Sequence, residues 1–268
     1  MSPQSRKKRT AAPATRRGKS GPRTRKIADL THHAFRSLVP DRIARVILPV
    51  GTMEAHGVLP LGTDTLIPER LAERLAEPLD ALIAPAMPYG ITSSLLPYPG
   101  SMTLEPTTFV AVMGQIGREL ARNGFREAIV LNGHGGQTDE LRRVIGELWR
   151  GQGLFGMVVE WWPLAAEACR DVYGAAGGHG GVDETAAVVA LAPELVEPDR
   201  MRPSLEYRVR PGLAARPAPA PILHFGDQEG SPSFDPKRAS DYLERMVAAV
   251  LEAIQEVLKA WERNLTPR

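Results

Sequence analysis

Apolar residues along this chain fall into two alternating rhythms, short continuous runs and stretches with a period near 3.6. Short runs bounded by turn residues mark strands buried on both faces, and these occur at 44–50 (ARVILPV), 81–90 (ALIAPAMPYG), the EAIVL of EAIVLNGHGG, and 154–162 (LFGMVVEWW). Helical spacing marks 65–79, 107–123 (Phe109, Val112, Met113, Ile116, Leu120), 138–150, and the stretches near 163–172 and 183–192. The segment 202–234 is rich in Pro, Gly and Ser and reads as irregular, and a long last helix is expected from Pro236 to Asn264. Strands alternating with helices predict an α/β fold with a parallel sheet covered by helices. No internal repeat interrupts this order.

A chain of 268 residues with 43% hydrophobic content can bury one large core, and one domain over 27–268 is expected. The single cysteine, Cys169, excludes an internal disulfide, fits a reducing cytoplasm, and reads as a packing residue. No run of eighteen apolar residues occurs, so the expectation is a soluble cytoplasmic protein without membrane partners.

The net charge of +2 hides an asymmetry. Residues 1–26 carry ten Lys and Arg and no acid, which leaves 23 basic against 31 acidic residues in the remainder. So charged and apolar-poor a segment cannot offset its ordering entropy and is expected to be a disordered basic arm. It offers non-specific attraction to nucleic acid. The plainer reading is a solvated tail, favoured by the lack of interleaved aromatics that would stack on bases.

Candidate chemistry concentrates just after the strands, where open α/β sheets place their ligands. In PVGTMEAHGVLPLGTD, Glu54 and His56 follow the first strand, and in extended chain residues two apart project to the same side; Asp64 comes eight residues later. His134 sits in NGHGG after a later strand, and His179 sits in GGHGG with Asp183 and Glu184 just beyond. Glu184 then falls in the first turn of a helix, where the dipole favours an ionised carboxylate. The NGHGG turn lacks both the Lys-Ser/Thr ending of a P-loop and the three-glycine spacing of a dinucleotide fold, so a histidine at its apex reads better as a ligand. His32, His33 and His224 have no partner motif, and of Trp161 and Trp162 alternation allows only one to face inward.

LPVGTMEAHGVLPLGTD, PYG…PGSMTL, VLNGHGGQ and GGHGGVDETA stand in the order of motifs of the creatininase (creatinine amidohydrolase) family, which this chain resembles from about Ile27 to its last helix. The resemblance implies a three-layer α/β/α sandwich with a mostly parallel central sheet, and a homo-oligomer, often a hexamer. It also implies a hydrolase that cleaves non-peptide C–N bonds of small cyclic amides or formamides with two divalent metal ions per chain. Carried over by position, Glu54 and His134 would hold one metal and His56 the other, with Asp64 bridging, Glu184 completing the second site, and His179 transferring a proton to the leaving nitrogen. Carboxylate and imidazole ligands without thiolate suit Zn²⁺, Mn²⁺ or Fe²⁺. Three departures stand out: the shorter GVLPLGT between His56 and Asp64, Gly136 where creatinine hydrolases carry a glutamate ligand, and Val182 where the family shows its first glutamate. They argue against creatinine itself. A peptide-trimming member of the family that processes a cofactor precursor is the alternative within the enzyme class, and a nucleic-acid-associated protein using the basic arm is the alternative outside it.

Overall fold

Four parallel strands form the central sheet of the computed structural model, which describes residues 21–208, 210, 212 and 222–265. The strands are β1 (Arg45–Val50), β2 (Ala81–Ile83), β3 (Glu127–Asn132) and β4 (Phe155–Glu160), in the order β2-β1-β3-β4. Register is set by pairs such as Ile47 with Ile83 and with Ile129, and Ile129 with Met157. Between them run α2 (Thr63–Leu75), α3 (Pro106–Arg122) and α4 (Thr138–Gln152), after a short α1 (His32–Leu38). Then follow α5 (Trp161–Leu164), α6 (Ala166–Tyr173), α7 (Val182–Leu191) and α8 (Pro236–Asn264).

Because side chains alternate across a strand, each strand feeds two cores. Val46, Leu48, Val50, Ala128 and Val130 join Phe109, Met113, Leu141 and Val144 of α3 and α4 on one face. Ile47, Ile129, Leu131, Met157 and Val159 join Ile67, Leu71, Val188, Met246 and Val250 of α2, α7 and α8 on the other. The result is a three-layer α/β/α sandwich. Helix ends follow local chemistry: Asp235 accepts hydrogen bonds from the Lys237 and Arg238 amides with Pro236 at the first turn of α8, and α4 stops at Gly153, which takes a left-handed φ of 66°.

Three boundaries differ from the sequence reading. In 81–90, expected as a strand entering a loop, the strand is short and ends at Ile83, since Pro85 and Pro88 supply no amide to a ladder. The strand expected to reach 162 stops at Glu160, and the two tryptophans open α5 instead. The segment expected to be irregular holds a parallel pair of short strands, β5 (Glu206–Arg208) and β6 (Leu223–Phe225). Of the basic arm, residues 1–20 lie outside the described residues. Its last members are part of the fold: the Ile83 amide donates to the Arg25 carbonyl, Arg25 pairs with Asp80 at 3.2 Å, and Lys26 pairs with Glu73 at 2.5 Å.

Cys169 is buried in α6 within the core, and burial, followed by the nearby Asp183 carboxylate, pushes its thiol up to about 12. Among the described residues no helix is long and apolar enough to cross a membrane. Phe109 is wholly buried between α3 and the sheet. Phe109→Ala should lower unfolding free energy by about 3–5 kcal/mol in urea titration, the usual cost of a large core deletion.

Candidate metal and active site

Four segments deliver the site at the carboxyl ends of the strands. The loop after β1 brings Glu54 and His56, the first turn of α2 brings Asp64, the turn after β3 brings His134, and the GGHGG turn with the first turn of α7 brings His179 and Glu184. All six residues expected from sequence converge. Asp64 lies between two imidazoles: its Oδ1 is 3.0 Å from His56 Nε2 and its Oδ2 is 3.1 Å from His134 Nδ1. Glu54 Oε1 lies 3.2 Å from His134 Nδ1, 3.3 Å from His179 Nδ1 and 3.9 Å from His56 Nε2, while Glu184 Oε2 is 3.7 Å from His56 Nε2.

Each histidine is oriented in the same way. His56 Nδ1 is 3.0 Å from the Glu54 carbonyl, His134 Nε2 is 2.9 Å from the Ile91 carbonyl, and His179 Nε2 is 2.9 Å from the Ala55 carbonyl. A carbonyl only accepts, so these nitrogens donate, and the opposite nitrogen of each ring is turned toward the carboxylates, where it becomes an acceptor or ligand once it gives up its proton. Donation of one ring N–H to an outer acceptor is how histidines are presented to metals. Gly136 belongs to this geometry, because a Cβ there would lie 2.4 Å from His134 Nε2 and 2.6 Å from the Ile91 carbonyl.

The electrostatics of the cluster point to missing positive charge. Burial would raise Asp64, yet the His56 and His134 imidazoles hold it well below the usual carboxylate range. Burial would lower His56, but Asp64 and Glu184 overcome it and push it up to about 10; His134 is raised against burial by Asp64 and Glu54. Burial, with Asp64 and Asp183, pushes Glu184 up to about 8, although His56 opposes it. His179 is driven down to about 4 by burial and by His56. Protons thus gather where carboxylates crowd.

A divalent cation fits the same residues better. Glu54 Oε1 and Oε2, His56 Nε2 and Asp64 Oδ2 are buried without a partner in hydrogen-bond geometry, although charged neighbours stand close to all but Glu54 Oε2; a buried polar group left wholly unpaired costs about 1–3 kcal/mol. Glu54, Asp64 and His134 place ligand atoms within 4.8 Å of one another, as do His56, Asp64 and Glu184, and also Glu54, His56 and His179. Oxygen and nitrogen donors without sulfur suit zinc, manganese or iron.

The cluster opens into a cavity of about 520 Å³ lined by Ile91, Ser93, Trp162, Gly178, His224 and Glu229 among others. Trp162 faces it and Trp161 is buried in the core. Sequence reasoning passed over His224 and Glu229. His224 is brought in by β6, its amide 3.3 Å from the His179 carbonyl and its ring 6.0 Å from that of His179. Only strand pairing places it, and no local motif could have flagged it. His32 and His33 open α1 on the surface.

Saturating Zn²⁺ or Mn²⁺ at a hundred times its Kd should stabilise chelator-treated protein by about 2.7 kcal/mol, read as a rise in Tm of roughly 5–10 °C. At one fixed metal concentration the gain should grow from pH 6 to pH 8, because His56 and Glu184 hold protons that a cation must displace and Kd falls as the pH rises. An unshifted melting curve at both pH values would count against a metal site.

Comparison with known proteins agrees with this arrangement. The family model for creatininase (creatinine amidohydrolase) matches residues 28–258. The chain is 30% identical to a creatinine amidohydrolase of Pseudomonas putida over 254 residues, 86% of this chain and 96% of that protein. It is 29% identical to a mycofactocin precursor peptide peptidase of Mycobacterium tuberculosis, over 71% of each. A solved structure of a creatininase mutant of the Zn–Zn type superposes with a TM-score of 0.75 at 27% identity, covering 87% of this chain and 98% of that one. With the match running through every element that carries the cluster, the chain belongs to the creatininase family.

Proposed function

We propose that this protein is a metal-dependent amidohydrolase that cleaves a non-peptide C–N bond of a small amide or formamide, using two divalent cations per chain. The observation that carries the reading is Asp64, whose two oxygens address two different sets of ligands. Glu54, Asp64 and His134 would hold one cation, and His56, Asp64 and Glu184 the other. Cations held there supply Lewis acidity toward the amide carbonyl and a water that loses its proton near neutral pH. The Zn–Zn type of the related creatininase structure supports a pair of ions.

The chain's own residues supply position and proton transfer. His179 donates a hydrogen bond from Nε2 to the Ala55 carbonyl, which leaves Nδ1, 3.3 Å from Glu54 Oε1 in the cavity wall, to take a proton and pass it to the departing nitrogen. Glu184, its Oε2 fixed 2.6 Å from the Gly180 amide, keeps one face toward His56. Trp162 supplies an apolar wall, and a cavity of about 520 Å³ admits a small substrate. Trimming of a precursor peptide is the second reading, favoured by the mycobacterial relative. Turnover of small amides and formamides measured beside turnover of short peptides separates the two.

Asp64→Ala should lose both metals and activity together, since two cations held by the neighbouring ligand sets would repel each other without the Asp64 charge. Elemental analysis finding two metals in an active Asp64→Ala protein would end the bridging role. Glu184→Gln should lower occupancy of one metal. His179→Ala should keep both metals and lose on the order of 10²–10⁴ in rate, the contribution of a positioned acid or base. Loss of a metal in His179→Ala with full occupancy in Glu184→Gln would reverse those two assignments.

A further inference from the structure

A largely buried hydrogen-bond chain links the carboxyl ends of β1, β3 and β4 and the loop that follows β2, next to the carboxylate cluster. At its centre is Gln137, with no exposed surface. Its Nε2 donates to the Gly51 carbonyl after β1 at 3.3 Å and to Asn132 Oδ1 at the end of β3 at 3.0 Å; its Oε1 accepts from the Ile91 amide, in the loop beyond β2, at 3.2 Å. Asn132 continues the chain. Its Nδ2 donates to the His134 carbonyl at 2.8 Å and to Thr138 Oγ1 at 3.2 Å, its Oδ1 accepts from the His134 amide at 3.2 Å, and Thr138 in turn donates to Glu160 at the end of β4.

Both amides use both N–H donors and pair their oxygens with N–H groups, so each has one orientation that satisfies the network. The packing leaves Gln137 no slack, because a Cβ on Gly90 would fall 1.9 Å from its Oε1. The same residues grip His134 at three points. Asn132 holds its backbone on both sides, and the Ile91 carbonyl holds its Nε2, while the amide of that same Ile91 is held by Gln137. The Ile91 amide and carbonyl lie in successive peptide units joined at one Cα, so a shift of Ile91 on loss of the Gln137 bond would carry its carbonyl away from the imidazole and turn Nδ1 away from Glu54 and Asp64.

We propose that Gln137 is a positioning residue for His134, acting through Ile91, and that it sets the affinity of the Glu54–Asp64–His134 site for its cation. This rests on the reading of that triad as a metal site. The contribution lies outside the ligand set, in the class of interactions whose loss costs about 10–100-fold in metal affinity.

Gln137→Glu keeps the size of the side chain but sets carboxylate oxygens against the Gly51 and Asn132 oxygens, and Gln137→Leu removes every hydrogen bond. The test titrates Co²⁺ into full-length, chelator-stripped protein, following heat and the visible Co²⁺ absorption. Wild type should fill two sites, and both variants should weaken one of them by about 10–100-fold with an altered Co²⁺ spectrum. His134→Ala identifies that site by losing it. If wild type fills two sites and both variants match it in affinity and spectrum, the positioning role is overturned while the proposed function stands. Equal weakening of both sites in step with a lowered Tm also overturns it, as a merely structural effect. A wild type that takes up no Co²⁺ overturns the function and this inference together. Should both variants fail to fold, Gln137→Asn, an amide on an arm one methylene shorter, decides: selective weakening of one site supports the proposal, and wild-type binding refutes it.

Discussion

A carboxylate withheld from water and shared between two imidazoles sets the terms for everything around it. Asp64 is 2% exposed, and a buried ionised carboxylate is tolerated only when its charge is met by partners. His56 meets one oxygen and His134 the other. Glu54 and Glu184 crowd the same space, so the residues that surround Asp64 must supply positive charge, from protons or from cations. A site that satisfied Asp64 with one arginine would be simpler to build and would have no open ligand positions. The chain instead spends three histidines there, each with one nitrogen tied to a backbone carbonyl.

The fold makes that concentration tenable. Parallel strands end together, so loops from β1, β2 and β3 reach one crevice, while α2 and α7 begin there and turn their N-termini toward the acids. Asp64 and Glu184 each sit in a first helical turn, where the unsatisfied amides and the dipole favour negative charge. Asp183 serves α7 itself: its Oδ1 accepts from the Gly178 amide at 3.1 Å and the Glu184 amide at 2.8 Å, tying the GGHGG turn to the helix it introduces. Beside the cluster, the Asn132–Gln137 network ties the ends of β1, β3 and β4 to the loop beyond β2.

Membership of the creatininase family describes the machinery more closely than the substrate. At 136, a glycine is required by the close approach of His134 to Ile91, so a glutamate ligand there, as in creatinine hydrolases, would need a different local backbone. Glu184 stands on the matching side of His56 and Asp64. The outer cavity wall is made by β6 and the turn after it, which bring His224 and Glu229 over the cluster.

Much of this was legible in the sequence, for a physical reason. Buried parallel strands must be apolar on both faces, helices covering them must show one apolar stripe, and open α/β sheets gather their ligands beyond the strand ends, so local spacing located the strands from β1 to β4, the long helices, and Glu54, His56, Asp64, His134, His179 and the Asp183–Glu184 pair, of which the family resemblance singled out Glu184. Backbone hydrogen bonding supplied the corrections: the early end of β2 at its prolines, the turn of Trp161 and Trp162 into α5, and the docking of Arg25 and Lys26 on the sheet edge. His224, Glu229 and the Gln137 network lay beyond reach. Each acts through residues far away in sequence, Gln137 through Gly51 and Ile91, His224 through His179, and no local periodicity encodes which distant backbone atom a side chain will meet. Composition and spacing determined which groups were made available at the strand ends; only the packing of those ends against one another decided which atoms face each other, since hydrogen bonds and charge pairing act over a few ångströms of space and not along the chain.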